Sequence, residues 1–159
     1  MCEHCGCREV ESIRELRDEH DALSGQAFHV RHALASGDRG AARVLLDELV
    51  SHLVQHVTRE ELGMFAALRT QGEFADEVAA LEGEHRAMDA VVADLDLDGP
   101  DFVARVTALL DDLEAHIERE DLGIFPVAVV TLGATGWATV EAAHEQHPTF
   151  LAPDVRSDV

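Results

Sequence analysis

Apolar positions recur along this chain in alternating steps of three and four, and four long stretches keep that period. Ile13, Leu16, His20, Leu23, Ala27, Val30 and Leu34 form the first seam, on a helix expected from about Val10 to Ser36 that Gly37-Asp38 stops. The second helix, expected from about Arg39 to Thr70 with an end near Gly72, carries Ala42, Leu46, Leu49, Leu53, His56, Glu60 and Met64. A third starts near Glu73 and repeats the pattern with Phe74, Val78, Leu81, His85, Met88, Val92 and Leu95. Asp96 to Pro100 is a strong turn signal, and the fourth helix follows with Phe102, Val106, Leu109, Leu113, His116, Glu120 and Ile124. Pro126 should kink or end it, because proline removes a backbone donor and crowds the preceding turn. A short fifth helix is expected around Trp137 to His144.

Short connections make successive helices antiparallel neighbours. The expected fold is therefore all-α: an up-down-up-down antiparallel four-helix bundle with a short additional C-terminal helix. The expected divisions are a cysteine-containing segment at residues 1–9, the bundle at 10–132, the short helix at 133–147 and a flexible tail at 148–159.

Each seam is apolar except where a histidine or glutamate interrupts it. His20 lies 17 residues before Gly37 and His56 lies 18 after Asp38, which puts both about 26 Å from that turn. The same reckoning through the other turns brings His85 and His116 to that height. An ionised glutamate in such a layer is costly unless paired or bound to a cation. Four histidines and two glutamates at one level therefore indicate a metal site, with donors that suit iron, manganese or zinc. Two carboxylates from opposite helices can each bridge two ions, so that each ion takes two histidines and a share of both glutamates. The bland alternative is a buried polar layer that only fixes helix register.

The layer is built on a repeat. HVTREELGMF at His56 to Phe65 returns as HIEREDLGIF at His116 to Phe125. Within each copy, histidine and glutamate four residues apart share one helix face, about 6 Å apart along the axis. A further histidine precedes each copy, in DEHDAL around His20 and GEHRAM around His85. Glu61 and Asp121 point about 100° away from their neighbouring glutamates. They are surface acids or acceptors for histidine N–H groups. Gly63 and Gly123 let helices approach closely, or leave room for a small molecule beside the metals. Phe65 and Phe125 belong to the core. His4, His29, His32 and His147 lack matching partners and are expected in solvent, whereas His144 is placed to cover the open end of the bundle.

Composition narrows the partners. The chain has 159 residues, enough for a core without disulfides, and a formal charge of −20 spread along its length. That charge argues against nucleic acid or anionic membrane as partner. No apolar run approaches a membrane span, and the first residues lack the basic start and apolar region of a secretory signal. Cys2, Cys5 and Cys7 form a C-x-x-C-x-C segment with His4 inside, too few for a disulfide framework or a zinc module. The segment is either a soft-metal or redox-active dithiol or an oxidisable tail. A reducing cytoplasm fits best.

The motifs Glu19-His20-Asp21, His56 to Glu61, Glu84-His85-Arg86 and His116 to Asp121 together resemble the hemerythrin-like (HHE cation-binding) family over roughly residues 10–130. That resemblance implies a non-haem di-iron centre of two iron ions in a four-helix bundle. It implies His20, His56, His85 and His116 as terminal ligands and Glu60 and Glu120 as bridging carboxylates. Oxygen-carrying members have a fifth histidine from a His-x-x-x-His pair on the third helix. Here the positions four before and after His85 are Leu81 and Asp89. A fifth ligand is therefore water or His52, one turn before His56, and reversible oxygen carriage is in doubt.

Two functions follow. One is a redox enzyme in which the metal pair meets hydrogen peroxide, O2 or nitric oxide, with catalase-like disproportionation in defence against oxidative or nitrosative stress. The other is a sensor, carrier or iron donor that binds such ligands without turnover. The partner is a small molecule in either case, and the chain is expected as a monomer or weak homodimer.

Overall fold

A computed structural model describes residues 11–151. The cysteine segment and the end of the expected tail lie outside the described residues. The elements in chain order are α1 (Glu11–Ala35), α2 (Arg39–Leu62), α3 (Met64–Gln71), α4 (Ala75–Ala93), α5 (Phe102–Arg119), a π turn (Glu120–Ile124), α6 (Phe125–Thr131) and α7 (Ala134–Gln146). No strand occurs among the described residues, and the chain is an all-helical bundle. α1 packs along α2 and α5, α4 packs along α5, and α7 lies across α2 and α3.

The helix ends follow local chemistry. Asp38 caps α2 by accepting the Ala41 N–H at 2.9 Å. Gly37 (φ 76°) and Gly72 (φ 93°) adopt the left-handed conformation that closes α1 and α3, which residues with a Cβ rarely adopt. The α4–α5 turn is tied down by Arg39, which donates to the carbonyls of Leu97 and Gly99 at 3.2 and 2.7 Å.

Two expected helices prove discontinuous. The second breaks at Gly63, where a Cβ would come 2.8 Å from the Arg59 carbonyl and 3.3 Å from the Ala143 Cβ on α7. The preceding turn's carbonyl excludes a Cβ and α7 crowds the same point, so close packing is the role of Gly63. The fourth helix neither ends nor simply kinks at Pro126. It widens into the π turn, where the Phe125 N–H reaches back to the Glu120 carbonyl, and then runs on to Thr131. The wider turn precedes the proline, whose missing N–H falls at the start of α6.

The apolar seams make two cores rather than one. Leu16, Phe65, Leu68, Val78, Phe125 and Val140 are among those that fill one end. Leu23, Val30, Leu46, Phe102, Val106 and Leu110 help fill the other. Between them lies a polar layer in which His20, His56, Glu60, His85, His116 and Glu120 are all buried. Phe125 stacks on His20 at 5.3 Å and Phe65 on His85 at 5.8 Å, so both repeat phenylalanines form the floor of that layer.

Two of the first residues of the expected tail make contacts with the bundle. The Thr149 hydroxyl donates to Glu19 at 2.9 Å, and Phe150 stacks on His52 at 4.5 Å. The buried Glu19 carboxylate thereby gains a donor, and the Phe150 ring covers a face of His52.

Candidate metal centre

Each of four helices delivers one histidine to the layer, and the two repeat copies add one glutamate each. The helical spacing sets His56 Nε2 2.9 Å from Glu60 and His116 Nε2 2.8 Å from Glu120. Across the bundle, His20 Nε2 lies 3.6 Å from Glu60 and 3.4 Å from Glu120, and His85 Nε2 lies 3.5 Å from Glu60. All six side chains are at most 3% exposed.

The outer nitrogens define the rings' orientation. His20 Nδ1 meets Asp121 at 2.8 Å, His56 Nδ1 meets Glu19 at 3.1 Å, His85 Nδ1 meets Glu61 at 2.9 Å and His116 Nδ1 meets Glu84 at 2.5 Å. A carboxylate that accepts a hydrogen bond from Nδ1–H fixes the tautomer and turns Nε2 inward. The pattern has an approximate twofold symmetry. The acid after each central glutamate holds the histidine of the opposite half, and the acid before His20 or His85 holds a repeat histidine. Of the two roles open to Glu61 and Asp121, the structure favours accepting ring N–H groups. Glu19 and Glu84 escaped the sequence reading, although an acid directly before both seam histidines was the available signal.

On the inner faces His85 Nε2 and His116 Nε2 meet at 2.9 Å, and most of the other donor atoms lack hydrogen bonds. His20 Nε2, His56 Nε2 and both oxygens of Glu60 and Glu120 find no hydrogen-bond partner among the described residues, despite full burial. Two overlapping donor sets result: His20, His56, Glu60 and Glu120, and Glu60, His85, His116 and Glu120, each with donor atoms within 4.8 Å of one another. Orphaned buried atoms of this kind are costly unless a cation occupies the space between them. The residues fit a metal pair.

Electrostatics agree with that fit. Burial pushes His56 down, but the Glu60 charge and the Glu19 hydrogen bond reverse it and raise it to about 9. Burial likewise opposes His20, and the carboxylates of Asp121, Glu120 and Glu60 carry it well above its ordinary value. His85 and His116 are raised against their burial by Glu60 and Glu120 respectively. Burial would raise Glu60, yet His56, His20 and His85 hold it well below the usual carboxylate range. The surrounding carboxylates thus favour protonated rings in the metal-free chain. A metal ion would compete with those protons for the same nitrogens.

The other candidate residues fall elsewhere. His52 is bonded through Nδ1 to Gln26 at 2.8 Å and stacked on Phe150, and it belongs to neither donor set. Leu81 is core, and Asp89 is exposed. Gly123 meets nothing within 4 Å of a built Cβ and borders an apolar groove instead of a close-packed helix. His144 lies over the His56 side near Arg59, and burial, with the Arg59 charge second, pushes its ring down to about 4. His29 and His32 are exposed.

Arg59 is the largest surprise. It is wholly buried, pairs with Glu15 and with Glu19 (3.1 Å), and donates to the His147 carbonyl at 2.6 Å. It therefore joins α1, α2 and the end of α7 directly behind His56. Its repeat counterpart Arg119 is exposed and pairs with Glu84 at 2.8 Å.

An all-helical bundle with paired histidine–glutamate donor sets in a buried layer defines a metal-binding helical protein. The sequence profile of the hemerythrin HHE cation binding domain matches residues 11–128, and the chain belongs to that family. No curated protein and no solved structure shows significant similarity to the chain. No described helix is long and apolar enough to cross a membrane.

Proposed function

We propose that the chain holds two iron ions between Glu60 and Glu120 and that this pair reacts with a small oxidant: hydrogen peroxide, O2 or nitric oxide. The observation that carries the reading is the overlap of two four-residue donor sets in two shared glutamates. His20 and His56 hold one ion, His85 and His116 hold the other, and both carboxylates serve both. Iron supplies the chemistry of exchanging two electrons with successive peroxide molecules, as in catalase-like disproportionation in stress defence. The chain's part is orientation and exclusion. Asp121, Glu19, Glu61 and Glu84 keep each ring aimed inward, and the apolar cores on either side keep bulk water away.

In this reading the long helices run as an up-down-up-down antiparallel bundle. The protein works in the cytoplasm as a monomer or weak homodimer, and its charge of −20 keeps nucleic acid and anionic membrane away. Deep burial of every donor also suits a second reading, in which the pair binds O2 or nitric oxide, or stores iron, without turnover.

Iron analysis and an optical spectrum of freshly purified protein test the first step. Two irons per chain and a near-ultraviolet charge-transfer band are expected. Rapid oxygen evolution from added peroxide, lost in His56→Ala and in Glu120→Ala, supports the enzyme. Slow stoichiometric bleaching without oxygen release supports the binder.

A further inference from the structure

The two donor sets are not equally enclosed. The His20/His56 side lies beneath Arg59 and the last turn of α7, and Thr149 closes over Glu19. The His85 side faces the seam between α2 and α4, which is packed less closely than the α1–α2, α1–α5 and α4–α5 seams. An open cleft of about 180 Å3 lies in that seam, walled by Leu53, Val54, Val57, Thr58, Met88 and Asp89, and it reaches His85. A narrower cavity continues along the same seam and shares Leu53, Met88 and Asp89. Larger hollows stop short of the six donors. The acidic one beside α7 ends at His144 and Glu15, and the apolar one beside Gly123 ends at Glu84 and Ile124.

We infer that the α2–α4 cleft is the path by which a small, uncharged ligand reaches the centre, meeting the His85/His116 ion first. The inference rests on the di-iron reading above. A water molecule's share of liquid volume is about 30 Å3, so the cleft accommodates a peroxide or a diatomic. Its mixed walls offer an anion little, since the Thr58 hydroxyl is already spent on the Val54 carbonyl at 2.8 Å. Asp89, exposed at the rim of a strongly acidic protein, repels anions further. The less enclosed side of the centre is thus the side of His85, which the cleft reaches, whereas the His56 side is sealed by an arginine and a helix.

Nitric oxide binding to the reduced, iron-loaded protein, followed optically by rapid mixing and by release into a scavenger, tests this. Val57→Trp and Val54→Trp fill the cleft, and Val127→Trp fills the groove beside Gly123 as a control. Val54 is 52% exposed, so that variant folds even if Val57→Trp does not. A path residue slows binding and release by the same factor, here about tenfold, with equilibrium affinity and iron content unchanged. Unchanged rates in both cleft variants, or slowing by Val127→Trp alone, overturn the inference. So does a change confined to release, because that marks a contact of the bound ligand rather than a passage. The metal-free chain gives a second reading with diethylpyrocarbonate. His85 should be carbethoxylated ahead of His20, His56 and His116, and Val54→Trp should delay it. First modification of His20 or His56 contradicts the path. A chain that takes up no iron defeats the di-iron reading alone, and the carbethoxylation order still decides the cleft.

Discussion

The two repeat copies, HVTREELGMF and HIEREDLGIF, share six of ten residues and occupy corresponding places around the same layer, yet their surroundings differ sharply. Around the first, Arg59 is buried under α7 and Gly63 breaks the helix beneath Ala143 and Val140. Around the second, Arg119 is in solvent, Gly123 has open space, and the chain passes through a π turn. The difference teaches where function and enclosure divide. The inward residues obey the repeat because the layer constrains both halves alike. The outward residues are free to diverge, and α7 covers only one of them.

The sharpest way to test the shared part is to remove what both halves use. Glu120→Ala should abolish binding of both ions, since the carboxylate belongs to both donor sets, whereas His20→Ala should leave the His85/His116 ion in place. Metal analysis after reconstitution distinguishes the two outcomes.

Arginine substitution tests the divergent part. Arg59→Ala strands the buried Glu19 and the α7 carbonyls, and breaking a buried pair of this kind costs about 3–5 kcal/mol. Arg119→Ala removes an exposed pair worth about 0–1 kcal/mol. Denaturant midpoints of the metal-free variants should separate accordingly, and equal losses would break the comparison.

Glycine substitution is smaller in effect. Gly63→Ala forces the new methyl against the Arg59 carbonyl and α7, an overpacking cost of about 1–3 kcal/mol. Gly123→Ala meets open space and should change stability by no more than about 1 kcal/mol in either direction.

The gentlest probe is pH. His56 is raised to about 9 in the folded, metal-free chain, so its contribution is complete below its ordinary value of 6.5 and is lost as pH rises through 9. His144 is lowered to about 4, so the unfolded chain takes up its proton first and stability falls as pH drops from 6.5 towards 4. The melting temperature of the metal-free chain should therefore decline on both flanks. The alkaline decline should shrink in His56→Ala and the acid decline in His144→Ala.

Much of this was legible in the sequence because seam periodicity and turn positions fix both burial and height. His20, His56, Glu60, His85, His116 and Glu120 all converge as their spacing requires. What the sequence concealed depends on contacts between distant segments. Identical arginines in the two copies cannot announce that only Arg59 is covered, because the cover comes from α7, some 85 residues further on. The crowding at Gly63 is partly of the same kind, since Ala143 and Val140 of α7 press on the place a Cβ would take beside the Arg59 carbonyl. Thr149 and Phe150 looked like tail because their partners, Glu19 and His52, lie about 100 or more residues earlier. The π turn was half visible: Pro126 announced a disturbance, but not that a widened turn would absorb it.

In the proposed centre, two cations share Glu60 and Glu120. Anaerobic titration of the metal-free chain with ferrous iron, read as bound metal per chain, tests it most directly. The account predicts saturation at two irons in the unaltered chain and no tight binding when Glu60→Ala and Glu120→Ala are combined. Saturation at one iron, or two irons retained by the double variant, would contradict it.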